Sequence, residues 1–172
     1  MSVPVVKFSF WKSTSMYLEN RPDLSHFDAD ELWSVLVGRV IGEGVHRKVY
    51  EVQFHEGLVL KMEKGTRAFH NVREWEVWNN VSWSEELGKW FAPCVAISSN
   101  GKFLLQKRTR PVRIEDMPAL CPKCLTDKKV QNFGWYDGRV VAHDYSFTLP
   151  NFERRLVKGK WWDDVESRNP EW

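Results

Sequence analysis

Cysteine, long apolar runs and an excess of charge of one sign are all scarce in this sequence of 172 residues. The three cysteines cannot all pair with one another, and we expect them to remain thiols rather than form a structural disulfide. The longest apolar run, residues 90–97, contains a proline and is far shorter than the roughly 20 residues that span a bilayer. We therefore expect no membrane partner, and the net charge of only +2 disfavours nucleic acid as a partner.

The general composition is that of a globular protein. Apolar residues make up 42% of the chain and charged residues 28%, which indicates one domain large enough to build its own core. The first ten residues have neither the charged start nor the apolar stretch of a secretory signal, so we expect a cytoplasmic protein. Tryptophan is abundant, with ten residues, and large aromatic side chains favour either a compact core or an interaction surface.

Cys121 and Cys124 have the two-residue spacing of a zinc site. A structural zinc ion needs four ligands, and the sequence contains no second pair of this kind. We therefore interpret the two cysteines as ordinary thiols in a loop.

Periodicity and turn residues predict a mixed α+β order of elements. A short helix over 27–37 precedes three antiparallel strands, and a longer helix precedes two more strands that flank the turn Asn100-Gly101. The predicted strands cover 39–41, 48–54, 58–62, 94–98 and 102–106, with a turn at 55–57, the longer helix covers 67–81, and a further strand covers 139–142.

The first half of the chain contains a glycine turn and two charged residues at buried positions of the predicted elements. Gly42 and Gly44, between the first two strands, could let the backbone close over phosphates, although such glycines more often belong to an ordinary hairpin turn. In the third strand Lys61 shares a face with Val59, because side chains alternate. In the longer helix Glu74 lies on the apolar stripe, where a carboxylate needs a cation. We therefore predict a Lys61–Glu74 ion pair.

The second half of the chain contains the spacing Asp-x-Lys-x-x-Asn, at Asp127, Lys129 and Asn132. Twelve residues after Asn132, Asp144 follows the short apolar strand and precedes Tyr145. Taken together with the glycine turn, the strand lysine and the helix glutamate, in this order and on these elements, the set resembles the protein kinase family.

The resemblance implies an α+β fold: a kinase-like N-lobe, made of a five-stranded antiparallel sheet and one helix, followed by a strongly reduced C-lobe. It divides the chain into an N-terminal extension over 1–38, the N-lobe and hinge over 39–108, and a truncated C-lobe with the catalytic and metal-binding loops over 109–172. Small, reduced kinase-like proteins of this kind resemble products of phages or mobile elements.

The resemblance also implies ATP and Mg²⁺ as cofactors. ATP would be contacted by Gly42, Gly44, Val49, Val59 and Lys61, and at the hinge by Gln106, Lys107 and Arg108. Asp127 would be the catalytic base, Lys129 would neutralise the transferring phosphoryl group, and Glu74 would hold Lys61. Asn132 and Asp144 would bind Mg²⁺.

The sequence departs from the kinase pattern in two ways. Arg47 stands where the phosphate loop has its third glycine, and Leu125-Thr126 replaces the His-Arg before the catalytic Asp. Only 18 residues separate Arg108 from Asp127, and only 28 follow Asp144, so most of a peptide-binding lobe is missing.

Three functions remain open from the sequence. The first is a minimal ATP- and Mg²⁺-dependent phosphotransferase that acts on Ser or Thr of a protein target or of itself. The second is a catalytically dead kinase-like module that inhibits or docks a partner protein, which the missing lobe and the exposed pair Trp161-Trp162 favour. The third, which the low net charge disfavours, is a nucleic-acid-binding protein using the basic residues that follow the fifth strand.

Overall fold

The computed structural model describes residues 29–65 and 69–163. Residues 1–28 of the predicted extension and 164–172 of the predicted tail lie outside the described residues. The described chain opens with helix α1 (Ala29–Ser34), which confirms the predicted short helix. Among the described residues, no helix combines the length and the apolar character that crossing a bilayer requires.

A five-stranded antiparallel sheet follows, in the order β1-β2-β3-β5-β4, and confirms the predicted α+β class and the five predicted strands. Its strands are β1 (Val37–Glu43), β2 (Arg47–Val52), β3 (His55–Glu63), β4 (Cys94–Ile97) and β5 (Phe103–Lys107). The predicted turn between β2 and β3 was wrong by two residues, because residues 55–57 belong to β3 and Val52 pairs with His55. The turn contains Phe54 in a left-handed conformation, with φ 66°, which a phenylalanine does not signal in sequence.

The two faces of β3 pack as the alternation predicts. Leu58 and Leu60 join one apolar cluster. Val59 joins a separate cluster, together with Ile41 and Val49. Lys61 therefore points to the Val59 face of the sheet, as predicted.

Helix α2 (His70–Val81) crosses that face of the sheet, and the short α3 (Glu85–Gly88) follows it. The predicted helix began at 67, but residues 66–68 lie outside the described ranges and Phe69, with φ 53°, forms the N-terminal boundary. The buried stripe of α2 consists of Asn71, Glu74, Val77 and Val81. Two of these four residues, Asn71 and Glu74, are polar. Glu76 lies exposed on the opposite side, as the helical spacing predicts.

The second half of the chain forms two small sheets. One has the order β6-β8-β9, from β6 (Arg110–Pro111), β8 (Phe133–Tyr136) and β9 (Arg139–Ala142), and the other pairs β7 (Leu120–Pro122) with β10 (Leu156–Lys158). The β8–β9 turn has Asp137 and Gly138 at φ 49° and 75°, and β9 confirms the predicted strand over 139–142. Strand β8 was missed because Phe-Gly-Trp-Tyr carries no polar alternation.

One apolar cluster joins the second half to α2. It contains Val77 and Val81 of α2 together with Phe133, Ala142 and Tyr145. Trp161 closes this cluster from outside, with its ring centroid 4.9 Å from that of Phe133. The three cysteines are free and buried. This shared core holds the segment after β9 against α2 and the five-stranded sheet. The candidate site lies where that segment meets the sheet.

Candidate functional site

A cleft of about 1220 Å³ lies between the β1–β2 turn and the segments that precede β8 and follow β9. Ligand pockets commonly measure roughly 300–1,000 Å³, so this cleft has room for a nucleotide-sized molecule. Six of the residues predicted from the sequence line it: Gly44, Val49, Lys61, Lys129, Asn132 and Asp144. Residues from both halves of the chain, which the sequence pattern assigned to one site, therefore face one cleft.

Lys61 and Glu74 form the predicted ion pair at the back of the cleft. The Nζ of Lys61 lies 2.8 Å from Oε2 of Glu74, and the two residues are 1% and 0% exposed. The same Nζ donates a hydrogen bond to the carbonyl of His143. A buried carboxylate and a buried ammonium are tolerated only when each has partners, so this pair explains how two charges remain inside the core. The prediction of the pair is confirmed.

Arg47 provides a second cation in the same cluster. Its Nη2 lies 2.8 Å from Oε1 of Glu74 and 2.7 Å from Oδ1 of Asp144, and the residue is 7% exposed. Its Nη1 lies 3.4 Å from Oδ1 of Asn71. The guanidinium thus bridges a carboxylate of α2 and a carboxylate that follows β9.

The cluster controls the charge of its members. Burial alone would raise the pKa of Asp144, but the nearby charges of Arg47 and Lys61 outweigh burial and hold this pKa well below its usual range. Burial alone would lower the pKa of Arg47, and Glu74 and Asp144 instead raise it above its ordinary value. Asp144 and Arg47 are therefore both charged at neutral pH.

Asn71 anchors the start of α2 to the sheet edge beside the cluster. Its Nδ2 donates to the carbonyl oxygens of Lys61 and Lys102 at 3.1 and 2.9 Å, and its backbone N–H donates to Oε1 of Glu63 at 2.7 Å. The sequence reasoning missed Asn71, although its position three residues before Glu74 places it on the same buried stripe. A polar residue on that stripe was the available signal.

His143 holds the segment before β8 in place. Its Nε2 lies 2.9 Å from the carbonyl oxygen of Gln131, and its Nδ1 lies 2.7 Å from Oγ1 of Thr109. Because a carbonyl can only accept, Nε2 carries the proton and Nδ1 accepts the hydrogen bond of the Thr109 hydroxyl. Burial and the ammonium of Lys61 lower the pKa of His143 to about 3, so the ring is neutral at pH 7.

The carbonyl of Asn132 accepts the backbone N–H groups of His143 and Asp144, at 2.8 and 3.2 Å. These bonds place Asn132 and Asp144, which are distant in sequence, on adjacent positions of the cleft wall. Lys129 also lines the cleft, with its Nζ 5.6 Å from the ring centroid of Trp162.

Two histidines form one rim of the cleft. The rings of His46 and His70 stack with centroids 4.7 Å apart, and Nδ1 of His70 lies 3.0 Å from Oγ of Ser146. Burial lowers the pKa of His70. No sequence pattern pointed to these residues, because they come from three separate segments.

The remaining predicted site residues take other places. Glu74 lies behind Lys61, and Asp127 accepts the backbone N–H of Lys129 at 3.4 Å and is not among the described cleft-lining residues. The described lining of the cleft also does not include Gly42, Val59, Gln106, Lys107 or Arg108. In the predicted hinge, the backbone N–H groups of Lys107 and Arg108 bond to the carbonyls of Pro93 and Gly57 at 2.9 and 3.0 Å.

Within residues 29–65 and 69–163, no group of three or more His, Cys, Asp or Glu side chains surrounds a possible metal position. The predicted Mg²⁺ ligands Asn132 and Asp144 do line one cleft, but Oδ1 of Asp144 is bonded to Arg47. One carboxylate oxygen of Asp144 is therefore already engaged, and Mg²⁺ binding by Asn132 and Asp144 stays a prediction.

Comparison with protein-family models finds no match to this chain, and no curated protein is significantly similar to it.

Proposed function

We propose that this chain is a minimal kinase-like protein that binds ATP in the described cleft and transfers the γ-phosphoryl group to a Ser or Thr hydroxyl. The acceptor is a protein target or the chain itself. A cytoplasmic location belongs to the same proposal, because ATP is available there and the three cysteines are free thiols.

The observation that carries the proposal is the convergence of Lys61, with its partner Glu74, and of Gly44, Lys129 and Asn132 on one cleft. Phosphoryl transfer requires positioned cations and little covalent chemistry from the protein. A buried Lys–Glu pair fixes an ammonium against a strand, and a glycine in the β1–β2 turn allows close approach of phosphates. The five-stranded sheet with one crossing helix supports the same interpretation.

In the proposed reaction the acceptor oxygen attacks the γ-phosphorus while the bond from that phosphorus to the β–γ bridging oxygen breaks. ADP leaves with the bond electrons, and the hydroxyl proton passes to Asp127. Lys61 holds the α- and β-phosphates, and Lys129 neutralises charge on the transferring group. Asp127 accepts the backbone N–H of Lys129 and is not among the described residues that line the cleft.

A specific observation favours the second candidate, a catalytically silent binding module. Asp144 lines the cleft but is paired with Arg47, and Asp127 is not among the described residues that line it, so one group of the kinase set is already engaged and another lies outside the lining. Such a protein would keep the nucleotide cleft, or only its scaffold, and act by docking a partner protein.

A transfer assay separates the two candidates. The protein is incubated with γ-labelled ATP, alone and with a protein acceptor, and label in protein is measured for wild type, Asp127→Asn and Asp137→Asn. Asp137 is an exposed turn residue and serves as the matched control. We expect labelling by wild type and Asp137→Asn and its loss in Asp127→Asn. ATP binding without any labelling would support the binding module, and labelling by Asp127→Asn would refute the assigned base.

A further inference from the structure

The side chain of Arg47 is buried at the cleft, although the residue directly follows a surface turn. It begins β2, directly after the β1–β2 turn, yet its side chain turns inward and is buried. There it contacts the carboxylates of Glu74 and Asp144, which come from two other segments of the chain. An arginine that bridges two carboxylates is fixed by its partners rather than free to follow solvent.

The charge of the cluster is already balanced. Arg47 and Lys61 provide two positive charges, and Glu74 and Asp144 provide two negative charges. A divalent cation on Asp144 would have to displace the guanidinium from an oxygen 2.7 Å away, or lie directly against it. Arginine does not lose its proton in proteins, so the repulsion between the two cations could not be relieved by deprotonation.

The same guanidinium is suited to phosphate. Arg47 lines the cleft, and the side chain of Asp144 that it holds is 42% exposed on the cleft side. Guanidinium groups bind phosphate oxygens through several N–H donors and are weakly hydrated, so they bind phosphates well without a metal ion. Lys61 and Lys129 face the same space.

We infer that Arg47 takes the place of a divalent cation beside Asp144, so that the cleft binds the phosphates of a nucleoside triphosphate without a metal ion. This inference rests on the proposed function, since it concerns the nucleotide of the same cleft. It departs from the sequence-based prediction, which gives Asn132 and Asp144 to Mg²⁺.

Titration calorimetry with ATP tests the inference on wild-type protein, once with excess Mg²⁺ and once with excess EDTA. The dissociation constants in the two conditions should agree within about threefold, which corresponds to less than about 1 kcal/mol in binding free energy. Binding that requires Mg²⁺ would overturn the inference and leave the proposed function standing. No ATP binding in either condition would refute the proposed function and the inference with it.

Two variants test whether Arg47 is the cause. Arg47→Ala frees Asp144, and its ATP affinity should become about tenfold or more higher with Mg²⁺ than with EDTA. Arg154→Ala, which removes an exposed arginine paired with Glu86 outside the cleft, should behave like wild type in both conditions. An Arg47→Ala protein that binds equally with Mg²⁺ and with EDTA would refute the role given to Arg47.

Asp144→Asn tests the same pairing without loss of side-chain volume and applies if Arg47→Ala does not fold. If Asp144 holds no metal ion, the Asn variant changes the ATP dissociation constant by the same factor with Mg²⁺ as with EDTA. A loss of about tenfold or more that is confined to Mg²⁺ would identify Asp144 as a metal ligand and overturn the inference.

Discussion

Replacing Glu74 with glutamine should destabilise the protein strongly, because this side chain holds the buried cluster together. Glu74 is fully buried and accepts hydrogen bonds from Lys61 Nζ at 2.8 Å, Arg47 Nη2 at 2.8 Å and the backbone N–H of Tyr145 at 3.2 Å. Glutamine keeps the volume of the side chain but removes its charge. Arg47 would then keep the carboxylate of Asp144, whereas Lys61 would lose its carboxylate partner.

The size of the effect follows from burial. Removing one partner of a buried ion pair costs about 3–5 kcal/mol, because the other charge remains in the core without compensation. Here two cations lose a partner, but Arg47 keeps Asp144 and Lys61 keeps the carbonyl of His143. We therefore expect a decrease of about 3–4 kcal/mol in the free energy of unfolding.

Urea unfolding followed by tryptophan fluorescence measures this change, since ten tryptophans report on the fold. Glu76→Gln is the matched control: Glu76 lies on the exposed side of the same helix, 3.4 Å from Arg73. An exposed pair of this kind contributes at most about 0.5 kcal/mol. Equal losses for the two variants, or a loss below about 1 kcal/mol for Glu74→Gln, would refute the view that the cluster is a buried and mutually dependent network.

Two further predictions concern the frame around the site. The folded pKa of His143 is about 3, below its ordinary 6.5, so its contribution to stability is complete above pH 6.5 and is lost as the pH falls towards 3. From this residue alone, the free energy of unfolding should be about 2 kcal/mol lower at pH 5 than at pH 7.5. Urea titrations at the two pH values should show that His143→Gln reduces this difference, whereas the exposed control His55→Gln does not. An unchanged pH difference in His143→Gln would contradict the prediction. In the same assay, Gly134→Ala should lower the free energy of unfolding by about 1–3 kcal/mol, because the added Cβ would lie 2.7 Å from the backbone oxygen of Arg110. Gly65→Ala is the control and should lower it little, because a Cβ there meets nothing within 4 Å. Equal losses for the two variants would contradict the close approach at Gly134.

The sheet and its helix could be predicted because local rules and tertiary packing agree there. Alternation placed Lys61 and Val59 on one face of β3, and helical spacing placed Glu74 on the buried stripe of α2, so their ion pair followed from two independent patterns. The hairpin at Asn100-Gly101 carried its own turn signal, and Gly101 does adopt a positive φ of 73°.

Where tertiary contacts decide, the sequence was a poorer guide. Phe54 in a left-handed turn and the short strand β8 have no local signature, since each is set by the strands that pair with it. Sequence reasoning identified Arg47 as a departure from the glycine pattern but not its two carboxylate partners. Those contacts join residues 27 and 97 positions apart, and only the packed core brings them together.

The predicted hinge shows the same limit. The kinase resemblance implied that Gln106 to Arg108 contact a bound base. In the structure the side chain of Gln106 is buried, and the N–H groups of Lys107 and Arg108 donate to the carbonyls of Pro93 and Gly57. Whether these residues contact a nucleotide stays a prediction. Between Arg108 and Asp127 lie the short strands β6 and β7. That this segment is a truncated kinase lobe, as its length suggested, stays a prediction.

The most direct test of a nucleotide cleft built around Lys61 is an ATP titration of wild type, Lys61→Met and Lys160→Met, each first checked for folding by circular dichroism. Lys160 is exposed and lies outside the cleft, so its variant controls for loss of a positive charge. We expect wild type and Lys160→Met to bind ATP equally and Lys61→Met to bind about tenfold or more weakly, a loss of about 1.4 kcal/mol or greater. A folded Lys61→Met that binds ATP as wild type does, or a wild type that does not bind ATP, would contradict the proposed cleft.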